Sequence, residues 1–294
     1  MINMQTVLTL ALTAALLQSP GATAYADKYA NVNGLRLHYL DWGSPDKPPL
    51  ILLHGIARHA HTFDHLAPHF ARSYHVLAID MRGHGDSEWD AGGRYLVEDR
   101  VTDLEDLVAQ LRLRQITLLG NSTGGRVAQV FAGLHPDLVA KLVVEDVGPE
   151  RPEDISSGFA RRVKLEADGW ASEDELVEQL TKENPGVAAS WVRDCARFGV
   201  KRRADGRFVW KRDPDLVKGF LPTELWRYVA RITSPAIYIL GGKSTIVPQA
   251  TQQRLKETLP RCEIVVMPGL GHYPDVEDPP GFLAIVDRFV TRAP

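Results

Sequence analysis

The chain has 294 residues, 44% hydrophobic and 24% charged, which is ordinary globular composition and enough for one large domain or one domain with an insertion. Its formal net charge of −3, with acids and bases interspersed and no basic patch, argues against nucleic acid as a partner. Two cysteines, Cys195 and Cys262, stand far apart and outside any Cys-x-x-Cys or His-rich cluster, so neither zinc nor redox chemistry is indicated and no metal or organic cofactor is implied.

Residues 1–26 differ from the rest. The apolar stretch Val7 to Leu17 is too short to span a bilayer, and Ala22-Thr23-Ala24-Tyr25-Ala26 supplies small-residue sites of the Ala-x-Ala type. This reads as a secretory signal peptide cut near Ala24 or Ala26, so the protein is expected to be exported, periplasmic or secreted, with no stable membrane anchor. The first six residues carry no Lys or Arg; a cytoplasmic enzyme with an N-terminal extension is the alternative.

Tyr29 to Trp42 reads as two strands turning at Asn33-Gly34. Leu50 to Leu53 is a buried strand running into His54-Gly55-Ile56, His59 to Phe70 a helix, and His75 to Ile79 a further strand. The turn-rich run Asp80 to Ser87 follows, then an amphipathic helix over Val97 to Arg112. Gln115 to Leu119 reads as a short buried strand, and Arg126 to His135 as a helix with Val127, Val130, Phe131 and Leu134 at helical spacing. Leu142 to Val144 is another strand ending in Glu145-Asp146. Strands alternating with helices imply an α/β fold, a mostly parallel central sheet with helices on both faces.

From about 149 to 232 the alternation stops, charge rises, and Trp170, Trp191, Trp210 and Trp226 occur, as in an inserted helical cap. The core is therefore expected in two pieces, 27–148 and 233–294. The second contains strands at Ala236 to Gly241 and Glu263 to Met267, a helix near Gln249 to Leu259, and a last helix from Gly281 to Thr291.

Between the fifth predicted strand and its helix stands Gly120-Asn121-Ser122-Thr123-Gly124. Gly-x-Ser-x-Gly at a strand-to-helix turn is the context for an exposed nucleophilic serine, with glycines where a side chain would strike the neighbouring strand or helix. A serine hydroxyl needs a base to take its proton. His272, in Gly269-Leu270-Gly271-His272 after the last strand, is the candidate.

With His54-Gly55, Asp80-x-Arg82-Gly83-x-Gly85-x-Ser87, the glycine–serine turn and Gly271-His272 in this order, the chain resembles the α/β-hydrolase family over nearly all of 29–294. Within it, the chain looks most like the small capped esterase, lactonase and carbon–carbon-bond hydrolase branch. Ser122 at the turn sets it apart from the epoxide hydrolases and haloalkane dehalogenases, whose nucleophile is an aspartate. The resemblance implies Ser122 as nucleophile, His272 as base, and an oxyanion hole of two backbone N–H groups, from Thr123 and from Ile56. It gives His54 a buttressing role.

The family usually places the triad acid after the strand that here ends at Gly241, but Gly242-Lys243-Ser244-Thr245-Ile246-Val247 holds no acid. Some members take it from the end of the strand after the nucleophile helix, where this chain has Glu145 and Asp146. Neighbouring strand residues face opposite ways, so one of the two faces the histidine. The longer reach from that position favours Glu145, with Asp146 capping a loop. Asp146 as the acid, a Ser122–His272 dyad, and Asp275 or Glu277 remain as alternatives. Arg58, His59, His61 and the cap aromatics are candidates for lining the pocket. The function expected is hydrolysis of a small carboxylic ester or lactone through an acyl-enzyme. Carbon–carbon-bond hydrolysis, an aminopeptidase, or a non-catalytic binding protein of the same fold are the rival readings.

Overall fold

In the computed structural model, residues 25–292 are described; the expected signal sequence lies almost wholly outside them. Eight strands form one sheet: β1 (Ala26–Val32), β2 (Leu35–Trp42), β3 (Pro49–Leu53), β4 (His75–Ile79), β5 (Ile116–Asn121), β6 (Val139–Glu145), β7 (Ala236–Gly241) and β8 (Cys262–Met267). Their order is β1-β2-β4-β3-β5-β6-β7-β8. β1 and β2 are antiparallel, and β2 is antiparallel to β4; from β4 onward every pairing is parallel. The β1–β2 turn falls at Asn33 (φ 47°) and Gly34 (φ 79°), as a two-residue hairpin with both central residues left-handed requires.

The inner strands β3 to β7 are almost wholly buried because helices cover both faces, which is why they read as continuous apolar runs rather than alternating ones. On one face α1 (Val97–Gln110) and α2 (Thr123–Leu134) pack through Val101, Leu104, Leu107, Val127 and Phe131. On the other, α7 (Pro279–Thr291) packs Phe282, Val286 and Phe289 against Leu50, Leu52 and Ile239. The helix α6 (Gln249–Thr258) joins β7 to β8.

Two elements differ from the sequence reading. The helix expected over 59–70 is a single 3-10 turn, Ala60–Phe63, and a separate short helix, Ala67–Phe70. The Asp80 carboxylate takes the Ala60 N–H at 2.7 Å and pins the first turn, while Pro68, lacking an N–H, stands inside the second. Secondly, α2 begins at Thr123, three residues earlier than periodicity indicated, directly after Ser122.

Between β6 and β7 lie α3 (Glu153–Leu165), α4 (Glu173–Glu183) and α5 (Ala189–Gly199). Two short antiparallel pairs, Glu150–Arg151 with Thr223–Glu224 and Val200–Arg202 with Phe208–Trp210, accompany them. This segment has its own small core of Trp170, Leu176, Leu180, Val192, Cys195 and Trp210.

Candidate active site

Ser122 sits between β5 and α2 at φ 49°, ψ −115°, a strained conformation for a residue with a β-carbon. The strain persists because the turn is fixed on every side. Ser122 N–H donates to Glu145 O at 3.0 Å and Gly124 N–H to His54 O at 3.1 Å. A β-carbon on Gly120 would lie 2.5 Å from the backbone of Gly124, and one on Gly124 would lie 2.0 Å from Leu53 O. The two glycines therefore do what their spacing suggested: one lets the helix approach β5, the other lets it approach β3.

The loop after β3 is held by histidines. His54 Nε2 accepts the Met81 N–H at 3.1 Å, so the ring proton is on Nδ1, which donates to Gly55 O at 2.8 Å. Full burial pushes His54 down to about 4, in keeping with a neutral ring. His84 lies 3.0 Å from Ile56 O, with its ring edge-on to His54. Both loop carbonyls are thus engaged. Neither the Ile56 N–H nor the Thr123 N–H donates to any group among the described residues. Gly55 is close enough to the turn that a β-carbon there would lie 3.3 Å from Ser122 Cβ.

The Asp80-to-Ser87 motif supports this arrangement from behind. Asp80 accepts from Ala60 N–H and Asp86 N–H and lies 2.7 Å from His38 Nδ1; Ser87 Oγ donates to Asp80 O. Although burial alone would raise Asp80, these partners and the nearby histidines hold it far below the usual carboxylate range. Arg82 forks onto Asp103 with two 2.6 Å bonds and ties the motif to α1.

The histidine partner is Asp146. His272 Nδ1 donates to Asp146 Oδ2 at 2.7 Å. Ser244 Oγ donates to the same oxygen at 2.6 Å, and Gly241 N–H to Oδ1 at 2.9 Å. A carboxylate offers only acceptors, so the His272 proton is on Nδ1 and the Nε2 lone pair is the free end of the ring. The preference for Glu145 is corrected. β6 lies beside β7, with Glu145 opposite Ile239, so a residue just past the end of β6 already stands next to Gly241 and needs no extra reach. Asp146 leaves the strand at φ 44°, which brings its short side chain under β7.

Glu145 faces away and is fully buried. Its Oε1 accepts Asp275 N–H at 2.8 Å, while Asp275 forms an ion pair with Arg58 at 2.9 Å. Desolvation first, and the Asp275 charge second, raise Glu145 well above the ordinary range, and its hydrogen bond goes to the Asp275 backbone rather than to His272. Asp275 is therefore committed to Arg58. Glu277 clamps the histidine loop through Gly271 N–H and Tyr273 N–H at 2.6 and 3.1 Å. Ser244, in the loop that lacks an acid, holds the acid rather than the imidazole, a role that residue type alone did not signal.

Ser122 and His272 open onto one cavity of about 190 Å³ with an apolar side that includes Ile56, Val147, Phe159 and Phe220. Arg58, His59 and His61, expected there, are elsewhere: His59 is bonded to Cys195 O, and His61 is stacked on Phe198 at 3.7 Å. The tryptophans pack: Trp170 against Trp210, Trp226 in the main core, and Trp191 with its indole N–H on Thr62 O. Phe159 and Phe220, not singled out by the sequence, supply the aromatic wall.

Residues 48–279 match the family model described as alpha/beta hydrolase fold. The chain belongs to this family of hydrolases. A 3-hydroxybutyrate-oligomer hydrolase from Cupriavidus necator is 29% identical over 280 residues, covering 88% of this chain and 94% of its own. A mouse serine hydrolase-like protein is 36% identical over 281 residues, covering 85% and 90%. The crystal structure of an E-2-(acetamidomethylene)succinate hydrolase superposes with a TM-score of 0.82 at 23% identity, covering 91% of this chain and all of the other, a likeness of fold.

Proposed function

We propose that the protein is a serine hydrolase of small carboxylic esters or lactones that works through an acyl-enzyme. The observation that carries this reading is the hydrogen-bonded line Ser244–Asp146–His272 ending in the cavity that Ser122 enters from its strained turn. In this reading the free Nε2 of His272 takes the Ser122 proton as Oγ attacks the carbonyl carbon. Asp146 holds the tautomer and stabilises the imidazolium. The unused N–H groups of Ile56 and Thr123 receive the oxyanion; losing one such donor costs about 3 kcal/mol of barrier. His272 then passes the proton to the leaving alcohol, and water repeats the sequence on the acyl-enzyme. The cavity is smaller than the 300–1,000 Å³ or so of drug-sized ligand sites, which suits a short substrate. The segment 149–232 acts as the cap that shapes this cavity, through Phe159 and Phe220. We infer export from the apolar stretch Val7 to Leu17 and the small-residue sites that follow it, with cleavage near Ala24 or Ala26.

The test is hydrolysis of 4-nitrophenyl acetate, together with labelling by a fluorophosphonate, for wild type and Ser122→Ala. Labelled, active wild type and an unlabelled, inactive variant are expected. A folded wild type that neither labels nor turns over would favour a binding protein that keeps the fold.

A further inference from the structure

The cavity at Ser122 is lined by three arginines, and their charges are not equally compensated. Arg162 is committed to two carboxylates, Glu166 at 2.8 Å and Glu183 at 2.7 Å. Arg126 is fully buried and pairs with no carboxylate among the described residues: it donates to Gly148 O, Pro149 O, Thr223 O and Thr223 Oγ1, so it ties the end of β6 to the strand pair Glu150–Arg151 and Thr223–Glu224. Arg151, on that pair, is 7% exposed. The only hydrogen bond of its side chain among the described residues is a long one, 3.4 Å from Nη1 to Leu221 O, and its guanidinium lies 3.8 Å from the Phe220 ring centroid. The acid nearest in sequence, Glu150, has its oxygens taken by Trp226 Nε1 and Thr251 Oγ1, each at 2.7 Å, with Arg254 at 3.6 Å.

A buried guanidinium presents five donors in a rigid fork matched to a carboxylate, and leaving such a charge unpaired is costly. Burial, then the neighbouring Arg126 and Arg100, push Arg151 well below the ordinary arginine range, and the carboxylate that lines the same cavity, Glu150, is the one held by Trp226 and Thr251. The missing partner is an anion, and the open side of Arg151 is the cavity that holds Ser122 and His272.

We propose that Arg151 is the anion-binding residue of the active site, and that the natural substrate is a short ester or lactone carrying a carboxylate of its own, held by the Arg151 fork with its hydrocarbon part on Phe220 and Phe159. Arg126 is a positioning residue, setting the backbone that presents Arg151. The proposal rests on the hydrolase reading above only for the word ester; the anion site is a separate property of the cavity.

The experiment compares kcat/KM at pH 7.5 for monomethyl glutarate against dimethyl glutarate, and for acetoxyacetate against its methyl ester scored by acetate release. The first pair puts the carboxylate on the acyl side, the second on the alcohol side. One of the two monoanions is expected to exceed its neutral ester by about tenfold or more, and Arg151→Met to lower that ratio about 10- to 100-fold, the range of a charge-assisted fork. Arg151→Lys is expected to restore part of it. Glutarate binding by calorimetry reads the same site without turnover: binding that exceeds glutaramide binding and weakens at least tenfold in Arg151→Met supports the proposal. It is overturned by an enzyme that cleaves 4-nitrophenyl acetate through Ser122 yet prefers neither monoanion, or by equal binding of glutarate and glutaramide to wild type, comparisons that do not depend on the variant folding. Arg151-dependent glutarate binding without any esterase activity would instead remove the ester reading and leave the anion site standing.

Discussion

Replacing Asp146 by asparagine changes one atom and keeps the shape of the side chain. The retained Oδ1 still accepts the Gly241 N–H, which puts the new NH2 where Oδ2 stood, 2.7 Å from His272 Nδ1 and 2.6 Å from Ser244 Oγ. Two donors cannot face each other, so His272 must move its proton to Nε2, the nitrogen that has to receive the Ser122 proton. A wrong tautomer in such a triad lowers kcat by about 10⁴, or about 5 kcal/mol of barrier. Glu145→Gln is the matched control: the amide oxygen still accepts the Asp275 N–H, and burial already raises the glutamate it replaces well above the ordinary carboxylate range. Its kcat on 4-nitrophenyl acetate is expected within about threefold of wild type, since surface and isosteric changes away from the reacting groups cost little. Both variants are checked for native circular dichroism. A folded Asp146→Asn enzyme with near-wild-type kcat, or a Glu145→Gln enzyme down by orders of magnitude, would refute the reasoning.

Three further outcomes follow from the same geometry. Ser244→Ala removes one hydrogen bond to the Asp146 carboxylate, and a loss of about 1 kcal/mol, some fivefold in kcat, is expected from steady-state kinetics without loss of the fold. Glu145 has its acidity suppressed on folding, so its contribution to stability is full below the ordinary glutamate range near 4.5 and is lost as pH rises above it. The Tm of Glu145→Gln relative to wild type should therefore climb between pH 5 and pH 8; a constant difference would mean that Glu145 is ionised in the folded protein. Gly124→Ala would place a methyl group 2.0 Å from Leu53 O, against the Leu53–His54 backbone, and should destabilise the chain by about 3 kcal/mol or more in urea denaturation.

Much of this molecule is written locally. Inner strands such as Leu50–Leu53 and Leu142–Val144 are apolar on both faces because parallel strands are covered twice, and α1 shows its buried stripe at helical spacing, so the alternation that defines the fold is visible in one dimension. The glycine–serine turn is legible for the same reason: its geometry depends on residues a few positions apart, and only small residues fit. What required the tertiary structure was every choice made between distant segments. Glu145 and Asp146 are adjacent in sequence, and side-chain length favoured the one that does not meet His272, because the neighbour that decides the matter, β7, is joined to β6 through ninety residues and, with the loop after it, contributes Gly241 and Ser244. Arg58 and His59, close in sequence to the loop after β3, are drawn away by Asp275 and Cys195 from remote elements, whereas Arg151 and Phe220 come together at the cavity. Periodicity and local sterics settle strands, helices and the turn; which charges are neutralised, and which is left facing the cavity, is settled by pairings across the fold.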